Sequence, residues 1–189
     1  MKTMIIGAVV AAIIVFAYQS LSWTVLPTHK HSLKYTPESE KILAVLSETL
    51  PQDGMYAVPH YDPDNTTQEQ AQELYKSWEG KPWAFISYHK KATVDIAPQM
   101  ICGFLLDLVA ALMVVWVLWA AREKFTGFGS RFMVVLAFAI FTVFQSSLMG
   151  ANWMQTPSHY FSGEIIDALV GWALGGMWLA WWVGRNQTA

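Results

Sequence analysis

PQMICGFLLDLVAALMVVWVLWAA, from Pro98 to Ala121, runs for 24 residues with a single charged side chain, Asp107. As a helix rising 1.5 Å per residue, a run of this length crosses a hydrocarbon core of about 30 Å. Three more runs share its character, at approximately 4–26, 132–151 and 161–183. The overall balance agrees, since 54% of the 189 residues are hydrophobic and only 14% are charged, far from the usual proportions of a soluble domain. The expected fold is an α-helical membrane protein with four transmembrane helices, at 1–26, 98–121, 132–151 and 161–183.

Lys2 followed by an apolar run and Val15-Phe16-Ala17 has the outline of a signal peptide and its cleavage site. Apolar character continues past that site through Leu21, Trp23, Val25 and Leu26, which favours an uncleaved first helix. Basic residues in short segments then set the orientation. Arg122, Lys124 and Arg131 share the loop 122–131, Lys2 precedes the first helix and Arg185 lies in the tail 184–189, whereas the loop 152–160 has no Lys or Arg. Both termini and the middle loop are therefore expected in the cytoplasm, with 27–97 and 152–160 on the outer side.

Segment 27–97 regains the composition of a soluble domain. Thr36-Pro37-Glu38 reads as a cap, a first-turn proline and an early acidic residue, and Ile42, Val45, Leu46 and Leu50 recur at helical spacing. A helix is expected from Pro37 to Thr49, a short strand at Met55 to Val58, a polar helix from Thr67 to Trp78 closed by Gly80, and a second strand at Trp83 to Tyr88. This is a small α/β extracytoplasmic domain inserted between helices one and two. Its aromatics Trp78, Trp83, Phe85 and Tyr88 are expected to pack in its core, with an interface as the alternative.

A pattern is repeated across the membrane runs. Trp23-x3-Pro27-Thr28-His29 returns as Trp153-x3-Pro157-Ser158-His159, and Gly103-x3-Asp107 returns as Gly163-x3-Asp167. Two parallel helix pairs related by a pseudo-two-fold along the membrane normal would explain this, with His29 matching His159 and Asp107 matching Asp167. Gln19, Asp107, Gln145 and Asp167 all fall within roughly 9 to 13 Å of the outer helix ends, forming one polar layer. Small residues at Gly103, Gly163, Gly171 and Gly175 continue the stripes that carry both aspartates and let helices approach closely. Trp172, Trp178, Trp181 and Trp182 read as lipid-facing anchors.

Intramembrane polar side chains are costly in hydrocarbon and face protein or water, so the layer has a use. It can hold the bundle in register through interhelical hydrogen bonds, or the two aspartates can serve a proton- or cation-coupled carrier. A third use is a metal or ligand site at the outer surface, where His29, His31 and His159 lie near one level and His29-x-His31 presents two rings on one face of an extended segment. No cofactor is otherwise expected. The net charge of −2 offers no basic surface for nucleic acid, and the single cysteine, Cys102, excludes an intramolecular disulfide. No His-Glu-x-x-His, Gly-x-Ser-x-Gly, phosphate-loop or paired-cysteine motif is present.

The stretch from Leu21 to His29, LSWTVLPTH, and the closing stretch from Ile166 to Leu174, IDALVGWAL, resemble a group of small bacterial four-helix inner-membrane proteins of uncharacterised function. The resemblance covers the membrane runs and implies a bacterial envelope protein, with no activity, cofactor or partner carried over. The expectation is a non-enzymatic accessory or assembly subunit in the inner membrane, in contact with the bilayer and with a membrane-protein partner or a second copy of itself.

Overall fold

The computed structural model describes residues 1–187; Thr188 and Ala189, at the end of the 184–189 tail, lie outside the described residues. The chain divides into two compact units, one made of Met1–Lys34 together with the chain from Asp95 onward, the other of Tyr35–Val94.

The first unit is helical: α1 (Lys2–Thr24), a short 3-10 turn (Pro27–His29), then, beyond the second unit, α4 (Ala97–Ala120), α5 (Phe128–Thr142), a π-helical turn (Val143–Leu148), α6 (Met149–Met154) and α7 (Ser158–Gln187). Among the described residues, four spans are long and apolar enough to cross a membrane: Lys2–Thr24, Ala97–Ala120, Phe128–Met154 and Ser158–Asn186. The third starts ahead of the expected 132, because Arg131 belongs to the helix and not to a solvated loop. Its guanidinium is buried, with Nε donating to the Ala180 carbonyl at 2.8 Å and Nη1 to the carbonyls of Phe125 and Thr126 at 3.0 and 2.8 Å.

α7 lies between α1 and α5, and α4 packs on the far side of α1. Two adjacent glycines make this possible. Successive helical residues point about 100° apart, and a Cβ on Gly175 would stand 2.9 Å from Val15 of α1, while one on Gly176 would stand 2.9 Å from Val135 of α5. Backbones that approach so closely exchange many dispersion contacts, the main source of helix association in an apolar solvent. Around them lies an apolar core that includes Ala8, Ala11, Ala12, Val115, Leu118, Val135, Leu179 and Val183.

Two of the tryptophans expected as lipid-facing anchors, Trp178 and Trp182, hydrogen-bond to α1. Trp178 Nε1 donates to the Gly7 carbonyl at 3.0 Å and Trp182 Nε1 to the Thr3 carbonyl at 2.8 Å, both on α1. Gly7 leaves the space for this, since a Cβ there would lie 2.6 Å from the Trp182 ring. Trp181 alone of the three keeps an exposed ring, with the Arg185 guanidinium over it at 5.3 Å.

A pseudo-two-fold pairing α1 with α5 and α4 with α7 would make the α1·α7 and α4·α5 contacts equivalent. They differ: α1 and α7 pack along much of their length, whereas α4 and α5 barely touch. The π-helical turn adds a second asymmetry. It inserts an extra residue in the third span, where α1 runs on regularly, and it turns Gln145 to the exterior of the unit. Gln145 is therefore exposed, whereas Gln19 and Asp107 are half-buried and Asp167 is buried.

The second unit holds α2 (Ser39–Thr49), β1 (Gly54–Val58), α3 (Gln68–Trp78) and β2 (Ala84–Tyr88), in the helix, strand, helix, strand order that the sequence predicts. β1 and β2 form an antiparallel pair with Tyr56 opposite Ile86. Thr67 and Gln70 close a capping box at the start of α3, and Gly80, at φ +74°, turns the chain after it. In the preceding turn the Asn65 side-chain amide and the Asp64 N–H donate to the Asp62 carboxylate and hold its pKa below the ordinary range. Only Ala71 and Tyr88 of this unit are buried hydrophobics; Trp83 and Phe85 touch each other edge to face but stay exposed, contrary to the expected core role.

Gly175→Leu and Gly176→Leu are each expected to force α7 away from one neighbour and cost about 1–3 kcal/mol through overpacking. Gly129→Ala, where a Cβ meets nothing within 4 Å, is the control. Thermal unfolding of the detergent-purified protein reads all three, and equal midpoints would contradict the close approach.

Candidate functional site

The last turn of α1 points Ser22 inward, fully shielded from solvent, and Pro27 then folds the chain into the 3-10 turn that carries His29 back over α7. The imidazole settles on Gly163, where a Cβ would lie 2.6 Å from its Cε1. Trp23 covers the opposite face, stacked at 3.7 Å between centroids and 10° between planes. Glycine beneath and tryptophan above hold the ring in one plane.

In that plane His29 Nε2 reaches Asp167 Oδ2 at 2.9 Å, and Ser32 Oγ lies 3.4 Å from Nδ1. Ser22 Oγ donates to Asp167 Oδ1 at 2.5 Å. The set is satisfied when Nε2–H donates to the carboxylate and Nδ1 accepts from the Ser32 hydroxyl. Both oxygens of the carboxyl group of Asp167, a residue only 6% exposed, are thus partnered, as the cost of burying such a group demands. Ser32, His29 and Asp167 share the order of hydroxyl, imidazole and carboxylate seen in acyl-transfer triads. Ser32 is only 4% exposed, however, so its hydroxyl is closed off from a substrate. The geometry performs a mechanical task, tying the end of α1 to α7.

Asp107 has different surroundings. It lies on α4 and lines a cavity of about 1240 Å³ that also touches α1, α5, the π-helical turn and α7. Gln19 of α1 lies beside its carboxyl group, and Oδ2 is shut away from solvent with no hydrogen-bond partner. Glu164 joins Asp107 and Asp167 in the cavity wall.

The structure brings together Gln19 with Asp107, and His29 with Asp167. It does not bring the three histidines together. His29 is buried and engaged at both ring nitrogens, His31 is exposed, and His159 sits half-buried in the first turn of α7. Among the described residues no group of three His, Cys, Asp or Glu side chains has the arrangement to hold a metal ion. The equivalence of His29 with His159, and of Asp107 with Asp167, does not extend to their environments: one Asp–His pair forms where α1 meets α7, and a cavity occupies the corresponding place by α4 and α5. Gly163, Gly171 and Gly175 all face α1 or the turn after it, and Gly103 lies 3.7 Å, through its hypothetical Cβ, from Phe16.

Ser22 and Ser32 are the site residues that the sequence patterns pass over. Each stands close to the Trp23-to-His29 motif, but nothing in a lone serine distinguishes an inward hydroxyl from a surface one. Comparison with protein-family models, with curated proteins and with solved structures finds no match, so the reading rests on geometry and chemistry.

Gly163→Ala is expected to push the imidazole off Asp167, and Asp167→Ala to strand Ser22 and His29 in the interior, costing about 3 kcal/mol. Trp23 fluorescence should change in both variants, because its stacking partner moves. An unchanged spectrum with unchanged thermal stability would contradict the clamp.

Proposed function

We propose that this protein is a non-enzymatic accessory or assembly subunit of a bacterial envelope complex, resident in the inner membrane with both termini in the cytoplasm. The four long apolar helices anchor it, and the Asp167 clamp keeps the anchor in register. The second unit is its working part on the outer side.

The observation that carries this reading is the exposed apolar surface of Tyr35–Val94. Ile42, Leu43 and Val45 of α2 are each about half exposed or more, α2 buries no residue at all, and Met55, Trp83 and Phe85 are exposed as well. Apolar surface on this scale in so small a unit marks a contact face. Nine acidic residues against five lysines give the unit a net charge of −4, which disfavours an anionic lipid surface and favours a protein partner. Aromatic side chains among aliphatic ones suit the anchoring centre of such an interface.

A photo-crosslinking residue placed at Ile42 or Trp83 in intact cells is expected to give one discrete adduct with another envelope protein. Val45→Asp should lower its yield about tenfold, as loss of an interface anchor does, with the level of the protein in the membrane unchanged. Labelling of lipid alone, or of a second copy alone, would overturn the proposal.

A further inference from the structure

α2 is a helix that its own unit leaves uncovered. An isolated helix shorter than about 12–15 residues is marginal in water, and in proteins the packing of one face makes up the difference. α2 has 11 residues and buries none of them. Its polar side chains bond within the helix: the Ser47 and Thr49 hydroxyls donate to the carbonyls of Ala44 and Val45, and Lys41 pairs with Glu38 at the cap.

The spacing of the apolar residues shows which face is left open. At about 100° per residue, Ile42, Val45, Leu46 and Thr49 share one side and Leu43 extends it, giving a stripe roughly 160° wide. Acidic residues border that stripe on both sides. Glu40 lies beyond Leu43 and Glu48 lies beyond Val45, while Ala44 occupies the back of the helix. Lys41, the one cation of α2, is taken by Glu38. Glu38, Glu40 and Glu48 against Lys41 leave the helix and its cap with a net charge of −2.

Width and charge together define the cover. An apolar groove accepts the stripe of an amphipathic helix, and Lys or Arg along its two rims would face Glu40 and Glu48. A second copy of the chain would instead bring two acidic units together, each with a net charge of −4, and an anionic lipid surface would repel α2 in the same way.

Building on the reading of Tyr35–Val94 as the partner-binding unit, we propose that α2 is its recognition helix, seated lengthwise in an apolar groove of a partner protein with basic rims. Ile42, Val45 and Leu46 are the anchors, and Glu40 and Glu48 set the orientation on the two rims.

The test uses the full-length protein in intact cells, with a photo-crosslinking residue at one position at a time from 40 to 49 and, separately, at Trp83. The yield of protein adduct should follow the helical period, with positions 42, 45, 46 and 49 about fivefold or more above positions 44 and 47. With the crosslinker at Ile42, Glu40→Lys combined with Glu48→Lys should lower the yield about tenfold at an equal level of the protein in the membrane, because like charges then meet at both rims. Glu73→Lys combined with Glu79→Lys makes the same change in net charge away from α2 and should leave the yield unchanged. If the charge-reversed proteins do not accumulate, the positional scan decides by itself. An adduct from Trp83 with flat yields along α2, labelling of lipid or of a second copy alone from α2, no effect of reversal at 40 and 48, or an equal loss in the Glu73 and Glu79 pair would each overturn the role of α2 and leave the partner-binding reading standing. Absence of any protein adduct, from Trp83 and from every position of α2, would overturn both.

Discussion

The helical unit depends on how closely α7 can lie between α1 and α5. Gly175 and Gly176 remove side chains from two directions of one helix at one level, and Val15 and Val135 occupy the space. Only at that separation do Trp178 and Trp182 reach the carbonyls of Gly7 and Thr3, and only then does His29 come over Gly163 within range of Asp167. Packing comes first in this hierarchy and the polar contacts follow from it. Were the unit in a bilayer, where hydrophobic burial between helices contributes little, close backbone approach and interhelical hydrogen bonds would carry the association.

Two aspartates at comparable depth meet opposite conditions as a result. Asp167 lies where α7 touches α1, and the chain leaving α1 folds back to supply a serine, a histidine and a covering tryptophan. Asp107 lies where α4 has no such neighbour, since α4 leans on α1 and leaves α5 almost untouched. The same side chain is tied at both oxygens in one place and keeps a buried oxygen without a partner in the other. A cavity and a clamp thus arise from one asymmetry in helix packing.

The second unit obeys a different economy of scale. A segment of about this size buries a small share of its surface, and here α2 contributes nothing to an interior. Its capping box, its antiparallel pair and its turn at Asp62 define the backbone well through local contacts. Its apolar side chains Ile42, Leu43, Val45, Met55, Trp83 and Phe85 stay exposed, which is the observation on which the proposed partner rests.

Much of this was legible in the chain itself. Run lengths and apolar content determined the four long helices, because a helix that can cross a bilayer must keep its apolar character for about 20 residues. Turn and cap residues such as Thr67 and Gly80 determined the order of elements between Tyr35 and Val94, through interactions only a few residues apart. The motif from Trp23 to His29 marked the histidine and its stacking partner, and the stripe through Gly163, Asp167, Gly171 and Gly175 marked the face of α7 that meets α1. What the sequence left open was which helix each polar group would meet. Gln145 belonged to the expected layer by depth, but a π-helical turn rotates it outward, and such a turn depends on the packing of the third span rather than on a local signal. The match of Asp107 to Asp167 was a matter of spacing along the chain. Tertiary structure alone decided that Asp167 has both oxygens partnered while Asp107 keeps one without a partner, because a side chain's environment is set by helices far away in sequence, and their separation depends on which glycines face which neighbours.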